Sequence, residues 1–341
     1  MIVSWNTTNA CNMHCAHCYR DAGARAEDEL STAEAKRLLD GIARAGFRIM
    51  IFSGGEPLLR PDILELVSYA RDRGLRPVFG TNGTLITDEL AVKMKEAGTA
   101  GVGISLDSLD REKHDRFRDF PGGWDGAVAG MRSCRRAGLA FQVHTTVMDW
   151  NAAELEQLTD FAVAEGAVAH HFFFLVPTGR GKNIEAESLQ AREYEAVITR
   201  IMKKQQTVPI ELKPTCAPQF MRIAGELGIK TRFSRGCLAG TMYCIINPHG
   251  KVQPCAYLNV EAGDVRRQPF EEIWQTSEVF RRLRSMELSG GCGTCGYRRV
   301  CGGCRARAAV YHDGDYLAEE PWCLYRVRRQ AEEGKKENSG L

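Results

Sequence analysis

Six short segments rich in apolar and β-branched residues, each followed by a longer stretch of helical period, fill the chain from residue 1 to about 212 and leave it few folds. The strand segments are Ile2–Thr7, Arg48–Ser53, Leu75–Gly80, Gly101–Leu106, Phe141–Val147 and Val168–Val176. Helix ends are marked between them. Ser31-Thr-Ala-Glu34 has the form of a capping box, in which serine and glutamate side chains satisfy the first backbone N–H groups of a helix. Behind it Ala35, Leu38, Leu39, Ile42 and Ala43 make one apolar stripe, closed by Gly46. A second helix has Pro61 in its first turn, directs Ile63, Leu66, Val67 and Ala70 inward and stops at Gly74. Asn151 and Glu154 open a further helix that Gly166 closes. Strand–helix repeats with short links specify a parallel sheet covered by helices, an α/β fold. A closed (β/α)8 barrel needs about 250 residues, more than this region offers.

Beyond residue 212 the strand–helix alternation fades, and eight of the chain's 13 cysteines fall between Cys237 and Cys323. The chain has 341 residues and begins Met1-Ile-Val-Ser-Trp5, with neither the basic region nor the cleavage site of a secretory peptide. In such a protein, placed in the cytoplasm, close cysteine pairs point to metal rather than to disulfides. Residues 213–328 therefore read as a second, metal-organised domain, and 329–341 as a charged flexible tail. A net charge of +2 gives no electrostatic case for nucleic acid. No apolar run approaches the ~20 residues of a membrane span.

Cys11-Asn-Met-His-Cys15-Ala-His-Cys18 has the spacing C-x3-C-x2-C and directly follows the first strand segment. Three thiolates on one loop hold three irons of a [4Fe–4S] cubane and leave the fourth open to a small molecule. An electron carrier or a structural zinc site closes its fourth position, so an open corner points to chemistry. Zinc or ordinary buried thiols are the alternative reading of the triad taken alone. The spacing resembles the signature of the radical S-adenosylmethionine enzymes. That resemblance implies an open (β/α)6 partial barrel, S-adenosylmethionine held at the open iron, and release of a 5′-deoxyadenosyl radical. Ser53-Gly54-Gly55-Glu56-Pro57 is similar to the family's methionine-binding segment, with Glu56 accepting from the cofactor ammonium and the glycines allowing close backbone approach. Thr81-Asn82 and Ser105-Leu-Asp107-Ser108 end later strands at the same edge, where the resemblance implies contacts to ribose and carboxylate. Each is also an ordinary turn or cap residue. Tyr19 is expected to pack on the cofactor.

Further along, Cys237, Gly250 and Cys255 stand as C-x12-G-x4-C, and Cys292, Cys295, Cys301 and Cys304 as C-x2-C-x5-C-x2-C, followed by Cys323. This resembles the SPASM extension of radical enzymes, many of which have three residues rather than two inside the last pair. The resemblance implies one [4Fe–4S] cluster on Cys292, Cys295, Cys301 and Cys323, and a second auxiliary cluster on Cys237, Cys244, Cys255 and Cys304. A zinc ribbon is the other reading of the paired cysteines. Cys134 reads as a buried hydrophobe.

Cys301-Gly-Gly-Cys304-Arg-Ala-Arg-Ala308, Lys213-Pro-Thr-Cys216-Ala-Pro218, Val176-Pro-Thr-Gly-Arg180-Gly181 and the opening Trp5-Asn-Thr-Thr-Asn-Ala-Cys11 are similar to the radical enzymes of heme d1 and siroheme-dependent heme biosynthesis. The nearest resemblance is to members that convert iron-coproporphyrin III to heme b by oxidative decarboxylation of two propionates. It implies a tetrapyrrole substrate and an electron donor such as ferredoxin or flavodoxin. Arg180, Arg222, Arg232 and Arg235 are candidate carboxylate clamps; His144, His170, His171 and Cys216 are candidate axial iron ligands. Loss of carbon dioxide leaves an electron, for which an auxiliary cluster is a sink. Acetate removal, the heme d1 route, peptide maturation and plain electron transfer by several clusters are the competing readings.

Overall fold

The computed structural model describes residues 1–325, so the expected tail 329–341 lies outside the described residues. All six expected strands form: β1 (Ile2–Asn6), β2 (Ile49–Ser53), β3 (Arg76–Thr81), β4 (Gly101–Ser105), β5 (Phe141–Val147) and β6 (Ala169–Phe174). They lie side by side in parallel and in chain order. The crossovers carry α1 (Thr32–Arg44), α2 (Ile63–Asp72), α3 (Asp88–Ala97), α4 (Arg111–Arg118), α5 (Gly123–Ala137) and α6 (Leu155–Glu165). Ser31 and Glu34 form the expected capping box of α1. Pro61 lies outside its helix, whose N-cap is Asp62. Asn151 does not open α6; its side chain is drawn to the loop after β4, donating to Asp107 O at 2.9 Å.

The sheet extends beyond the six strands at both edges. After α7 (Ala191–Lys204), β7 (Glu211–Thr215) pairs in parallel with β6. It crosses residue 212, where the sequence placed a boundary. Pro214 lacks an N–H, which an edge strand tolerates. Past α8 (Phe220–Glu226), β8 (Tyr243–Ile246) runs parallel to β1, and β9 (Lys251–Gln253) and β10 (Gly263–Asp264) follow antiparallel. The strand order is β10-β9-β8-β1-β2-β3-β4-β5-β6-β7, an open barrel with no pairing between its ends among the described residues. Four helices complete the described residues: α9 (Phe270–Thr276), α10 (Glu278–Ser285), α11 (Gly290–Gly293) and α12 (Arg305–Tyr311).

The main core lies between sheet and helices, from Val3, Phe52, Val143 and Phe172 outward to Leu38, Leu66, Met131, Leu158 and Tyr194. Since strand side chains alternate, Ser105, Gln142, His144, His171 and Lys213 fall on the other face, toward the barrel interior. No helix among the described residues is long and apolar enough to cross a membrane.

Candidate active site

Residues 7–10 lead from β1 into the cysteine loop and are fastened from three sides. Buried Arg60 donates to Thr7 O at 2.8 Å and to Leu30 O at 2.9 Å, with its guanidinium over the Trp5 ring. The Glu29 carboxylate accepts from Thr8 Oγ1 and Asn9 N. From the end of β2, Gly55 N donates to Thr8 O at 2.8 Å and Glu56 N to Ala10 O at 2.7 Å. A Cβ on Gly54 would stand 2.6 Å from Thr8 O, and one on Gly55 would collide with Ala10 O. The glycines therefore serve first to let two backbones meet, rather than the approach to a ligand that the sequence predicts. Gly55→Ala should displace the cysteine loop, lowering thermal stability by about 1–3 kcal/mol together with iron content. Unchanged melting and iron loading would refute that role.

The Glu56 carboxylate is fully buried and, among the described residues, accepts from uncharged donors: Leu58 N, Thr81 Oγ1 and Asn82 N, at 2.8–3.1 Å. Burial pushes its pKa up. A cofactor ammonium beside it would favour the ionised form. Asn82 Nδ2 donates to Asn12 Oδ1 at 2.8 Å, tying this pocket to the cysteine loop, and Ser105 Oγ donates to Thr81 O. Thus Gly54, Gly55, Glu56, Thr81, Asn82 and Ser105 converge beside the triad. Burial raises the Cys11 thiol to about 11 and also raises Cys15. Burial keeps both protonated in the absence of metal, and a bound metal would release their protons.

Three expected contacts resolve differently. Asp107 is fully buried, with Oδ1 accepting from Thr146 N and Oδ2 from Arg118 Nε at 2.7 Å. It thus holds Arg118, whose Nη1 lies 3.9 Å from Cys15 Sγ, instead of facing a ribose. Arg118 was invisible to motif reading; its signal is a buried arginine on a short polar helix. Tyr19 donates to Asn6 Oδ1 at 2.8 Å and packs 5.3 Å from the Tyr257 ring, toward the C-terminal region. Arg180 is no free carboxylate clamp: Nε donates to Cys15 O, Nη1 to Asp21 and Ala22 O, and its own N–H to Cys18 O, all at 2.9–3.0 Å. It binds the triad loop. Arg222 is likewise committed, to Glu195 and Glu226.

The C-terminal thiols separate into groups. Cys292, Cys295, Cys301 and Cys323 line one cavity of about 130 Å³, with Gly291, Gly302 and Gly303 in its wall. Gly302 and Gly303 have φ of +76° and +61°. Two successive left-handed residues turn the chain so sharply that Cys301 faces this cavity while Cys304 faces away, which is how a pair with only two intervening residues divides. Cys304 packs instead in an apolar cluster with Cys255 and Cys216. Gly250 turns the β8–β9 hairpin with φ +89°, which returns the chain toward Cys255. Cys244 does not join them. It sits on β8 opposite Val3, at 0% exposure, in the main core. The ligand role that the SPASM resemblance implies for Cys244 does not fit this placement, because alternation along β8 points it at the helices. Helix α12 stands between the groups: Arg305 Nη2 lies 3.7 Å from Cys292 Sγ, and Arg307 N donates to Cys304 Sγ at 3.5 Å. The described thiols do not close on a single metal ion, which a cubane does not require of them.

On the barrel interior, Ser105, His144, His171 and Lys213 are register partners across β4 to β7. The His144 and His171 rings stack at 5.4 Å and 8°. Burial lowers both imidazoles, His171 to about 3, so they are neutral near pH 7. His170 faces the other way, between Thr145 and Thr159, and is a core residue.

Residues 5–162 match the Radical SAM superfamily model, and residues 237–305 the model of an iron–sulfur cluster-binding domain named SPASM. The AdoMet-dependent heme synthase of Methanosarcina barkeri is 44% identical, covering 95% of this chain and 96% of its own. This chain is a radical S-adenosylmethionine enzyme. The AdoMet-dependent heme synthase of Nitratidesulfovibrio vulgaris is 43% identical to the enzyme over 96% of this chain and 93% of its own, so the relationship spans both regions. The enzyme falls in the radical SAM heme synthase family. Its fold is also that of Streptococcus suis SuiB bound to precursor peptide SuiA, at TM-score 0.77 and 16% identity, over 94% of this chain and 75% of that one. The enzyme accordingly uses S-adenosylmethionine and [4Fe–4S] clusters. Cys11, Cys15 and Cys18 would hold the cluster that, when reduced, supplies the electron for releasing the deoxyadenosyl radical from S-adenosylmethionine, and Glu56 would hold the cofactor's amino group.

Proposed function

We propose that the enzyme converts iron-coproporphyrin III to heme b by oxidative decarboxylation of two propionates. The observation that carries the reading is the interior row of His144, His171 and Lys213, beside the edge that bears the cysteine triad. A neutral imidazole is a good axial ligand for porphyrin iron. Burial lowers Lys213, with Cys216 partly opposing, and its ammonium is set to pair with a propionate. Arg232 pairs with Glu211 at the amino-terminal end of β7, away from the triad, and Arg180 and Arg222 are committed as well, which leaves Arg235 as the candidate carboxylate partner. The family relationship to AdoMet-dependent heme synthases supports the same substrate class.

In each round a propionate loses one hydrogen atom from its β-carbon to the deoxyadenosyl radical, then carbon dioxide and one electron, and becomes a vinyl group. The chain's part is to fix which hydrogen faces the radical, which positioning by Lys213 and the imidazoles accomplishes. An auxiliary cluster held by the C-terminal cysteines would supply the sink for that electron. The reductant is of ferredoxin or flavodoxin type, and the reducing conditions that free thiols need favour a cytoplasmic enzyme.

Anaerobic incubation of reduced enzyme with S-adenosylmethionine and iron-coproporphyrin III should shift the Soret band on binding. It should yield heme b through a monovinyl intermediate, with two deoxyadenosines per heme. A product that keeps its propionates and loses acetate carboxyls would assign the enzyme to an earlier tetrapyrrole step. Absence of porphyrin binding with tight binding of a short peptide would replace the reading with peptide maturation.

A further inference from the structure

We propose that Cys216, which lies outside the SPASM match and ahead of it, is the fourth thiolate of the inner auxiliary cluster, completing a set with Cys237, Cys255 and Cys304.

Cys216 directly follows β7 and is one of few described non-glycine residues with left-handed backbone, at φ +59°. That conformation costs of order 1–3 kcal/mol and persists where the surroundings impose it. The surroundings here are specific. Cys216 O accepts from Tyr194 Oη at 3.2 Å and from Arg307 Nη2 at 3.1 Å. Arg307 is the residue whose backbone N–H donates to Cys304 Sγ. One buried arginine thus fixes both cysteines, and Cys216 and Cys255 pack on the apolar cluster that contains Cys304. Cys237 is brought in by its neighbour: a Cβ on Gly236 would stand 2.6 Å from Pro218 O and 2.8 Å from Pro218 Cα, so only glycine lets the two loops meet.

Strand β7 carries Lys213 three positions before Cys216. A cluster ligated there would be fastened to the strand that lines the barrel interior. The assignment rests on the iron–sulfur content of the enzyme and not on the identity of its substrate.

The test uses the full chain, reconstituted anaerobically, in a background of Cys11→Ala, Cys15→Ala and Cys18→Ala, so that only auxiliary clusters contribute. In that background Cys216→Ala should lose up to about four irons and the electron paramagnetic resonance signal of one auxiliary cluster, or shift its g-values. Cys244→Ala should keep the iron and spectrum of the background. The signal from the Cys292, Cys295, Cys301 and Cys323 site should persist in both and report intact folding. If Cys216→Ala loses both signals, Cys216→Ser decides: a changed signal from the inner cluster supports the assignment and an unchanged one overturns it. Unaltered iron and spectrum in Cys216→Ala overturn it, even if the heme Soret band changes. Loss of the inner signal in Cys244→Ala overturns it as well.

Discussion

Changing Cys11, Cys15 and Cys18 together to Ala should remove about four irons per chain and abolish formation of 5′-deoxyadenosine. No thiolate would then remain on the loop to hold the cubane, and the neighbouring donors offer none in exchange: Arg118 and Arg180 are cations, and Glu56 is held by Leu58, Thr81 and Asn82. The fold should survive, because the loop is fastened by Arg60, Glu29 and the Gly54-Gly55 backbone contacts rather than by metal. Iron analysis, cofactor cleavage and thermal melting measure the three parts separately. Deoxyadenosine formation by the triple variant would refute the assignment of the radical site.

Replacing Arg307 with Ala should have the largest effect on stability, about 3–5 kcal/mol, because it strands a buried carboxylate. Arg307 is fully buried, pairs with Glu320 at 3.2 Å and lies 4.2 Å over the Trp322 ring. It also donates to Leu175 O, beyond β6, and to Cys216 O, beyond β7. The variant should melt earlier, lose auxiliary iron and become protease-sensitive between Cys237 and Cys323. Pairing Arg307→Met with Glu320→Gln should recover much of the stability, since neither charge is then left alone. A loss below about 1 kcal/mol in Arg307→Ala would mean that the pair is not required.

The parts of the molecule set by local pattern were legible in the sequence. Period and caps located six strands and α1, and the triad spacing pointed to the family whose model matches residues 5–162. What escaped depends on side chains meeting across the fold. Strand β7, Glu211-Leu-Lys-Pro-Thr215, alternates, with Leu212 and Pro214 buried, but it has one aliphatic residue and a proline, which argues against a strand anywhere except at a sheet edge. Cys244 has ligand-like spacing, but strand parity turns it into the core. Cys216 belongs to no spaced motif, and its place is set by Tyr194, Arg307 and the Gly236–Pro218 contact. Arg180 reads as a substrate residue until its hydrogen bonds to the cysteine loop are seen. Asp107 and Arg118 occupy one another for the same reason: burial of a charge requires a partner that sequence order does not reveal.

Strand β1 carries the cysteine loop and is paired on one side by β2 but on the other by β8, with Ile2 opposite Tyr243 and Trp5 opposite Ile246. During synthesis its second neighbour emerges only after more than two hundred further residues. Until then β1 is an exposed edge, apolar and open to wrong pairing on the ribosome or in a released fragment. The anchor of the radical site is therefore finished among the last parts of the fold although it is made first. Iron delivered to the nascent N-terminal half would meet a loop already fastened by Arg60, Glu29 and Gly55 but a strand still lacking β8, so a chain truncated before β8 is expected to hold iron at the triad less firmly although every triad residue is present.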